Sequence, residues 1–355
     1  MLFLVPKDAG PVLGIRPLQH EFCDIYSTGG FTMKKLYSLL FSMLLAAGVL
    51  SGCGDSAAEP EKDNGSSTEQ TETETEKAEF PVTITDAAGE EVVIEEKPEK
   101  IVSLIPSNTE TAFALGLGEE VVGVSDFDNY PEETADKEKI GGMEFNVEKI
   151  ISLAPDLVLA HASSAHNSTA GLQQLKDSGI AVLVVNDAQS FEQVYESIEM
   201  IGTASGAKEE AEEVIAGMKE KIEAIKEKAA GVTEKKKVFV EVSPAPEIYS
   251  PGKNTFMDEM LTMINAENIV KEEGWPKVDP EAIIKENPDV IISTSGYRNE
   301  DAVAEVLARE GWQDVNAVKN KQVFSVDSDT VSRSGPRLAE GVEEFAKAVY
   351  PDVFK

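Results

Sequence analysis

From residue 80 onward two hydrophobic patterns alternate along the chain. Short, nearly continuous apolar runs rich in β-branched and aliphatic residues fall at 101–105, 121–124, 157–160 and 181–185, then at 238–242, 290–294 and 323–326. Runs of this kind separated by helical patterns predict strands buried on both faces, hence parallel sheets covered by helices. Ser107-Asn108-Thr109-Glu110 has the spacing of a capping box and predicts a helix that opens there and closes near Gly116. Between the two groups of strands, Ala211, Val214, Ile215, Met218, Ile222, Ile225 and Ala229 recur in steps of three and four, with Glu and Lys filling the other positions. That stripe predicts one long helix over 208–229, roughly 33 Å at ~1.5 Å per residue. Its brevity as a heptad seam, with two alanines in it, fits a monomer whose helix lies across two lobes better than a coiled-coil dimer.

The two groups of strands also repeat each other. Glu148-Lys149-Ile150-Ile151 leads to Pro155-Asp156-Leu157-Val158, and Glu281-Ala282-Ile283-Ile284 leads to Pro288-Asp289-Val290-Ile291, each matched position 133 residues on. Each copy reads as a short helix, a Pro-Asp turn and a buried strand. The expected architecture is α/β: two Rossmann-like lobes with parallel sheets over 80–205 and 233–355, joined by a backbone helix within 206–232, with a ligand cleft between the lobes.

The front end differs in kind. Met33-Lys34-Lys35 precedes an apolar run from Leu36 to Val49, too short to span a bilayer, which ends in Leu50-Ser51-Gly52-Cys53. Residues 33–52 therefore read as an export signal, and the final four resemble a bacterial lipobox. That resemblance implies cleavage before Cys53 and lipidation of its sulfur. Residues 1–32 resemble no part of such a signal and are read as an upstream, mistranslated extension. Residues 53–79, rich in Glu, Thr, Ser and Lys, hold too few large apolar side chains to offset their ordering entropy and read as an acidic tether. Contact with the membrane is expected through the lipid anchor alone, on the extracytoplasmic side.

Charge and cysteine content narrow the chemistry. With 65 acidic and 32 basic residues, a formal charge of −33 excludes a broad electrostatic grip on nucleic acid. Two cysteines and three histidines in the whole chain cannot build a disulfide scaffold, an iron–sulfur cluster or a histidine-rich metal cage, so no intrinsic metal or cofactor is expected.

Ligands of open α/β sheets sit beyond the carboxyl ends of the strands. There the first lobe carries Phe127 and Tyr130 in a polar loop, and His161 directly after a strand. The second lobe offers Tyr249, Trp275 and the segment from Asp329 to Arg333. A hydrolase built on Ser163 or Ser164 beside His161 is the competing class, but the chain lacks a Gly-x-Ser-x-Gly elbow, a P-loop and a dinucleotide fingerprint. A surface sensor or adhesin on the same fold is a third possibility.

Ordered segments then point to one group. They are Ile101-Val102-Ser103-Leu104 with Pro106-Ser107-Asn108-Thr109-Glu110, Val122-Gly123-Val124-Ser125, Asn146-Val147-Glu148-Lys149-Ile150, Gly252-Lys253-Asn254-Thr255-Phe256, Ala266-Glu267-Asn268-Ile269, Trp275-Pro276-Lys277-Val278 and Arg333-Ser334-Gly335-Pro336-Arg337. From about residue 80 to the end, the chain resembles the helical-backbone (class III) substrate-binding lipoproteins of bacterial ABC importers. Within them it is most similar to the group that binds cobalamin, ferric siderophores and haem, and above all to its cobalamin-binding members. The resemblance implies a metal-containing small-molecule ligand, delivery to a permease dimer with its ATPase, no catalysis, a cleft-lining Trp275 and a ligand-contacting Asp329. It also implies that Glu148 and Glu281, one per lobe, dock on the permease. Two cleft tryptophans of the pattern are Gly142 and Thr330 here. All four arginines beyond residue 52, Arg298, Arg309, Arg333 and Arg337, lie in the second lobe, which disfavours strongly anionic chelates and haem propionates. Haem would find an axial ligand only in Tyr249 or His161.

Overall fold

The computed structural model describes residues 80–297 and 301–355; the segments read as upstream extension, export signal and acidic tether, with Cys53, lie outside them. The strands are β1 Val82–Thr85, β2 Glu91–Ile94, β3 Ile101–Ser103, β4 Val121–Val124, β5 Glu138–Lys139, β6 Leu157–His161, β7 Ala181–Val185, β8 Lys237–Glu241, β9 Glu267–Asn268, β10 Val290–Ser293 and β11 Val323–Ser325. They form a five-stranded parallel sheet in the order β5-β4-β3-β6-β7 and a four-stranded parallel sheet in the order β11-β10-β8-β9. All seven expected strands are present to within two residues at either end. The antiparallel hairpin β1–β2, which no pattern announced, is closed by Asp86, whose Oδ1 accepts from the backbone N–H of Ala88 and of Glu90 at 2.9 Å.

The expected repeat carries through to its caps and to the hydrogen bonds of its Pro-Asp turns. Helix Val147–Leu153 is capped by Asn146 and ends on a left-handed Ala154; helix Pro280–Glu286 is capped by Asp279 and ends on a left-handed Asn287. Asp156 then donates its N–H to the Lys100 carbonyl at 2.9 Å and accepts the Lys100 N–H on its carboxylate at 2.9 Å. Asp289 does the same with Lys237, at 2.8 and 3.0 Å. The aspartate of each Pro-Asp turn thus ties the start of one strand to its neighbour.

Helix Lys208–Ala229 has the bounds its stripe predicts, and every stripe residue except the half-buried Val214 is buried. It packs on Phe191–Ser205 of the first lobe and on Phe256–Met263 and Leu338–Val349 of the second. Ile198, Ile215, Met218, Met260 and Phe345 belong to one apolar cluster that runs through both lobes. Separate clusters cover the outer face of each sheet. The two lobes thus share one apolar core along the helix.

One expectation is corrected. Ser107 does not cap its helix: the helix runs Pro106–Ala114 from Ile105, with no side-chain cap. Pro106 starts it because its ring presets φ and it has no N–H to leave unpaired. The Glu110 carboxylate, which a capping box would turn back to the cap, faces the second lobe instead.

Candidate ligand cleft

Both sheets turn their carboxyl ends toward the junction of the lobes, and two polar seams cross it. In the first, Glu110 accepts from Arg333 Nη1 at 2.6 Å and from Arg337 Nη2 and Nε at 2.7 and 2.8 Å. Beside it, Asn129 Nδ2 donates to Asp329 at 2.8 Å while its Oδ1 accepts from Arg333 at 2.8 Å. The Arg337 guanidinium lies 3.9 Å from the centre of the Tyr130 ring. In the second seam, Trp275 Nε1 donates to Gln189 at 3.0 Å, and the Phe191 N–H donates to Glu259 at 2.9 Å. A cavity of about 540 Å³ on the second lobe's side reaches from one seam to the other, past Val242, Ser243, Phe256, Trp275, Asp329 and Arg333.

Apolar exposure gathers around this junction. Phe127 is 53% exposed, Tyr130 45%, Tyr249 38% and Trp275 37%. Met143, which sequence reasoning missed, is 79% exposed in the loop beside Phe127. These aromatic surfaces, beside a cavity wall that also carries the hydroxyls of Ser243, Thr294, Ser295, Ser328 and Ser332, suit a large ligand with a polar fringe more than a small ion. Among the described residues, no three His, Cys, Asp or Glu side chains come together as a metal-holding group.

Residues 101–330 match the periplasmic binding protein family. The chain belongs to that family. It is 51% identical over 326 residues to YvrC of Bacillus subtilis, an uncharacterized ABC transporter substrate-binding lipoprotein, covering 91% of this chain and 100% of that one. It is 30% identical over 249 residues to a vitamin B12-binding protein of Vibrio campbellii, covering 69% and 87%. A solved structure of a possible iron-binding (periplasmic solute-binding) protein of Staphylococcus epidermidis superposes with a TM-score of 0.67 at 40% identity, covering 72% of this chain and all of that one.

Within this periplasmic binding protein the expected site residues fare differently. Trp275 lines the cavity, edge-on to Phe256 with ring centres 5.6 Å apart. Asp329 and Arg333 line it too, but both are engaged in the first seam, 3.0 Å from each other. Tyr249 sits on the neighbouring loop, bridged to Ser243 and Lys277. Phe127 packs over Gly142: a Cβ there would lie 3.2 Å from its ring, so Phe127 takes the space that a side chain at 142 would need. Thr330 is buried, its hydroxyl bonded to Asp327 and Glu344, and offers no cleft surface.

His161, expected directly after its strand, is the last residue of β6 and does not present itself to the cleft. At 4% exposure it caps the short helix Ala162–Ala165, with Nδ1 2.8 Å from Ser163 Oγ and accepting the Ser163 N–H at 3.3 Å. Burial holds its imidazole below the usual pKa, with Asp187 and the Asn186 backbone pulling weakly the other way. A Ser–His contact two residues apart is thus a capping geometry, and the other ring nitrogen, Nε2, is buried without a hydrogen-bond partner.

Beneath the Phe127 loop, Asp128 is buried with Oδ2 accepting from Ser125 Oγ at 2.6 Å and Oδ1 without a partner. Lys139 braces the same loop through the Asp128 carbonyl at 3.0 Å. Glu110, Asn129, Gln189 and Arg337 were not among the residues singled out for the site. Glu110 lies in the Pro106–Glu110 segment and Arg337 ends the Arg333–Arg337 segment, but a pairing across 227 positions leaves no local pattern.

Proposed function

We propose that this protein is the extracytoplasmic substrate-binding component of a bacterial ABC importer and that it captures a corrinoid such as cobalamin. The observation that carries the ligand class is the set of exposed rings, Phe127 and Tyr130 on one lobe and Tyr249 and Trp275 on the other, around a cleft where the described arginines already hold carboxylates. A corrinoid is a broad, largely apolar ring fringed by neutral amides, and it needs surfaces of this kind rather than free cations. The likeness to a vitamin B12-binding protein supports the same reading. Cys53 would carry the lipid anchor, two or more acyl chains giving stable attachment. Glu148 and Glu281, exposed in the first turns of equivalent helices and without partners among the described residues, would dock on the two permease subunits.

A second reading is a neutral ferric hydroxamate siderophore, favoured by the likeness to the possible iron-binding protein of Staphylococcus epidermidis. Haem ranks below both, since its propionates want free cations and, of its two candidate axial ligands, His161 is buried and only Tyr249 is exposed. The deciding experiment is a thermal-shift panel on the purified protein with cobalamin, cobinamide, haem and ferric siderophores. A true ligand at a hundredfold excess over its Kd adds about 2.7 kcal/mol of stability. A siderophore shifting the transition while no corrinoid does would replace the first reading with the second.

A further inference from the structure

Each arginine among the described residues is held by a carboxylate of this same chain: Arg309 by Glu241, Arg333 and Arg337 by Glu110. The Glu110 case is unusual in form. Two guanidiniums of the second lobe converge on one carboxylate of the first, three hydrogen bonds of 2.6 to 2.8 Å reach it, and it is only 3% exposed. Converging guanidiniums at the edge of a cavity are the arrangement by which proteins take the carboxylate of an anionic ligand. Here an internal carboxylate occupies that position. The remaining arm of Arg333 meets Asp329 at 3.0 Å, so the two positive charges of the seam face two negative ones.

We propose that Glu110 is a specificity-determining residue: by filling the arginine pair from within, it restricts the cleft to ligands with a neutral periphery and rejects carboxylate-fringed ones. An incoming carboxylate would have to displace Glu110, leaving it buried without a partner, or else lie unpaired beside Glu110 and Asp329. Both alternatives place an uncompensated negative charge at a poorly solvated seam. A neutral amide or hydroxamate meets neither obstacle. The inference rests on the reading that the ligand occupies this cleft, and it deepens that reading by naming the charge class.

The test uses two pairs of probes that differ in peripheral charge: cyanocobalamin against its propionamide-hydrolysed carboxylic acids, and the neutral ferrichrome against ferric citrate. Affinities are measured by calorimetry for the wild type, Glu110→Gln, Glu110→Asp and the double variant Glu110→Gln with Arg337→Gln. The double variant removes one of the two cations left unpaired and guards against misfolding of the single one. Expected is a wild-type preference of about tenfold or more for the neutral member of the pair it binds. That preference should shrink or invert in Glu110→Gln and in the double variant, and should be retained in Glu110→Asp. A wild type that binds the carboxylate member as tightly as the neutral one overturns the role of Glu110 and leaves the binding-protein reading standing. An unchanged preference in folded Glu110→Gln also overturns it. No binding of any of the four probes overturns both.

Discussion

Arg309 holds Glu241 through two parallel hydrogen bonds, Nη1 to Oε2 at 2.7 Å and Nη2 to Oε1 at 3.0 Å, at the carboxyl end of β8. Glu241 is buried, and the guanidinium also stacks 4.4 Å from the ring centre of the buried Trp312. The pair joins the strand that leads into the Val242 to Pro244 side of the cavity to the helical layer behind it. Removing one partner leaves a buried charge uncompensated, so Arg309→Ala is expected to lose about 3–5 kcal/mol of stability. Replacing both residues with apolar ones of similar volume should cost far less. Urea unfolding of the single and double variants checks this; a loss under about 1 kcal/mol for Arg309→Ala would mean that the pair behaves as a surface bridge.

Trp275 offers its ring to the cavity and its N–H to Gln189 of the other lobe. Trp275→Ala is expected to weaken ligand binding by roughly 2 kcal/mol, as truncating a central aromatic anchor does. Trp275→Phe, which keeps a ring but not the donor, should fall between. Titration calorimetry with the ligand found in the thermal panel measures both. Wild-type affinity in the alanine variant would remove Trp275 from the binding surface.

The buried Asp128 carboxyl has its pKa raised, chiefly by burial, while the Ser125 hydrogen bond opposes the shift. A carboxyl with a higher pKa in the folded state binds more protons there than in the unfolded chain. Its contribution to stability is therefore full below the ordinary carboxylate range and is lost as pH rises through the folded pKa. Asp128→Asn keeps an acceptor for Ser125 and removes the charge. It should be more stable than the wild type at pH 7, and the difference should close as the pH falls below about 4. Melting curves across that range decide it; a gap that widens on acidification would reverse the sign.

Glu148 and Glu281 stand at equivalent positions of the duplicated helices, both solvent-exposed. For folding they are worth a few tenths of a kcal/mol through the helix dipole. Changing both to Ala should leave stability and ligand affinity nearly unchanged and abolish uptake in cells lacking the native binding protein. Normal uptake by the double variant would show that docking uses other residues.

Local pattern alone determined much of this protein. Parallel strands buried on both faces are nearly continuous apolar runs, and a backbone helix packed on one side is a stripe at steps of three and four; the strands were legible to within two residues and the helix down to the ends of Lys208–Ala229. The Pro-Asp repeat was legible because its hydrogen bonds are made by the repeated residues themselves. The exposed aromatics were legible as rings placed in polar loops after strands. What the tertiary structure decided was which side chains meet. Glu110 reads as the end of a capping box until Arg333 and Arg337, more than two hundred positions away, take its carboxylate. His161 reads as a cleft residue until its own helix start buries it. A strand or helix follows from periodicity because each residue's burial depends on its neighbours in sequence, whereas an ion pair between lobes depends on two elements brought together only by the finished core, and nothing local encodes it.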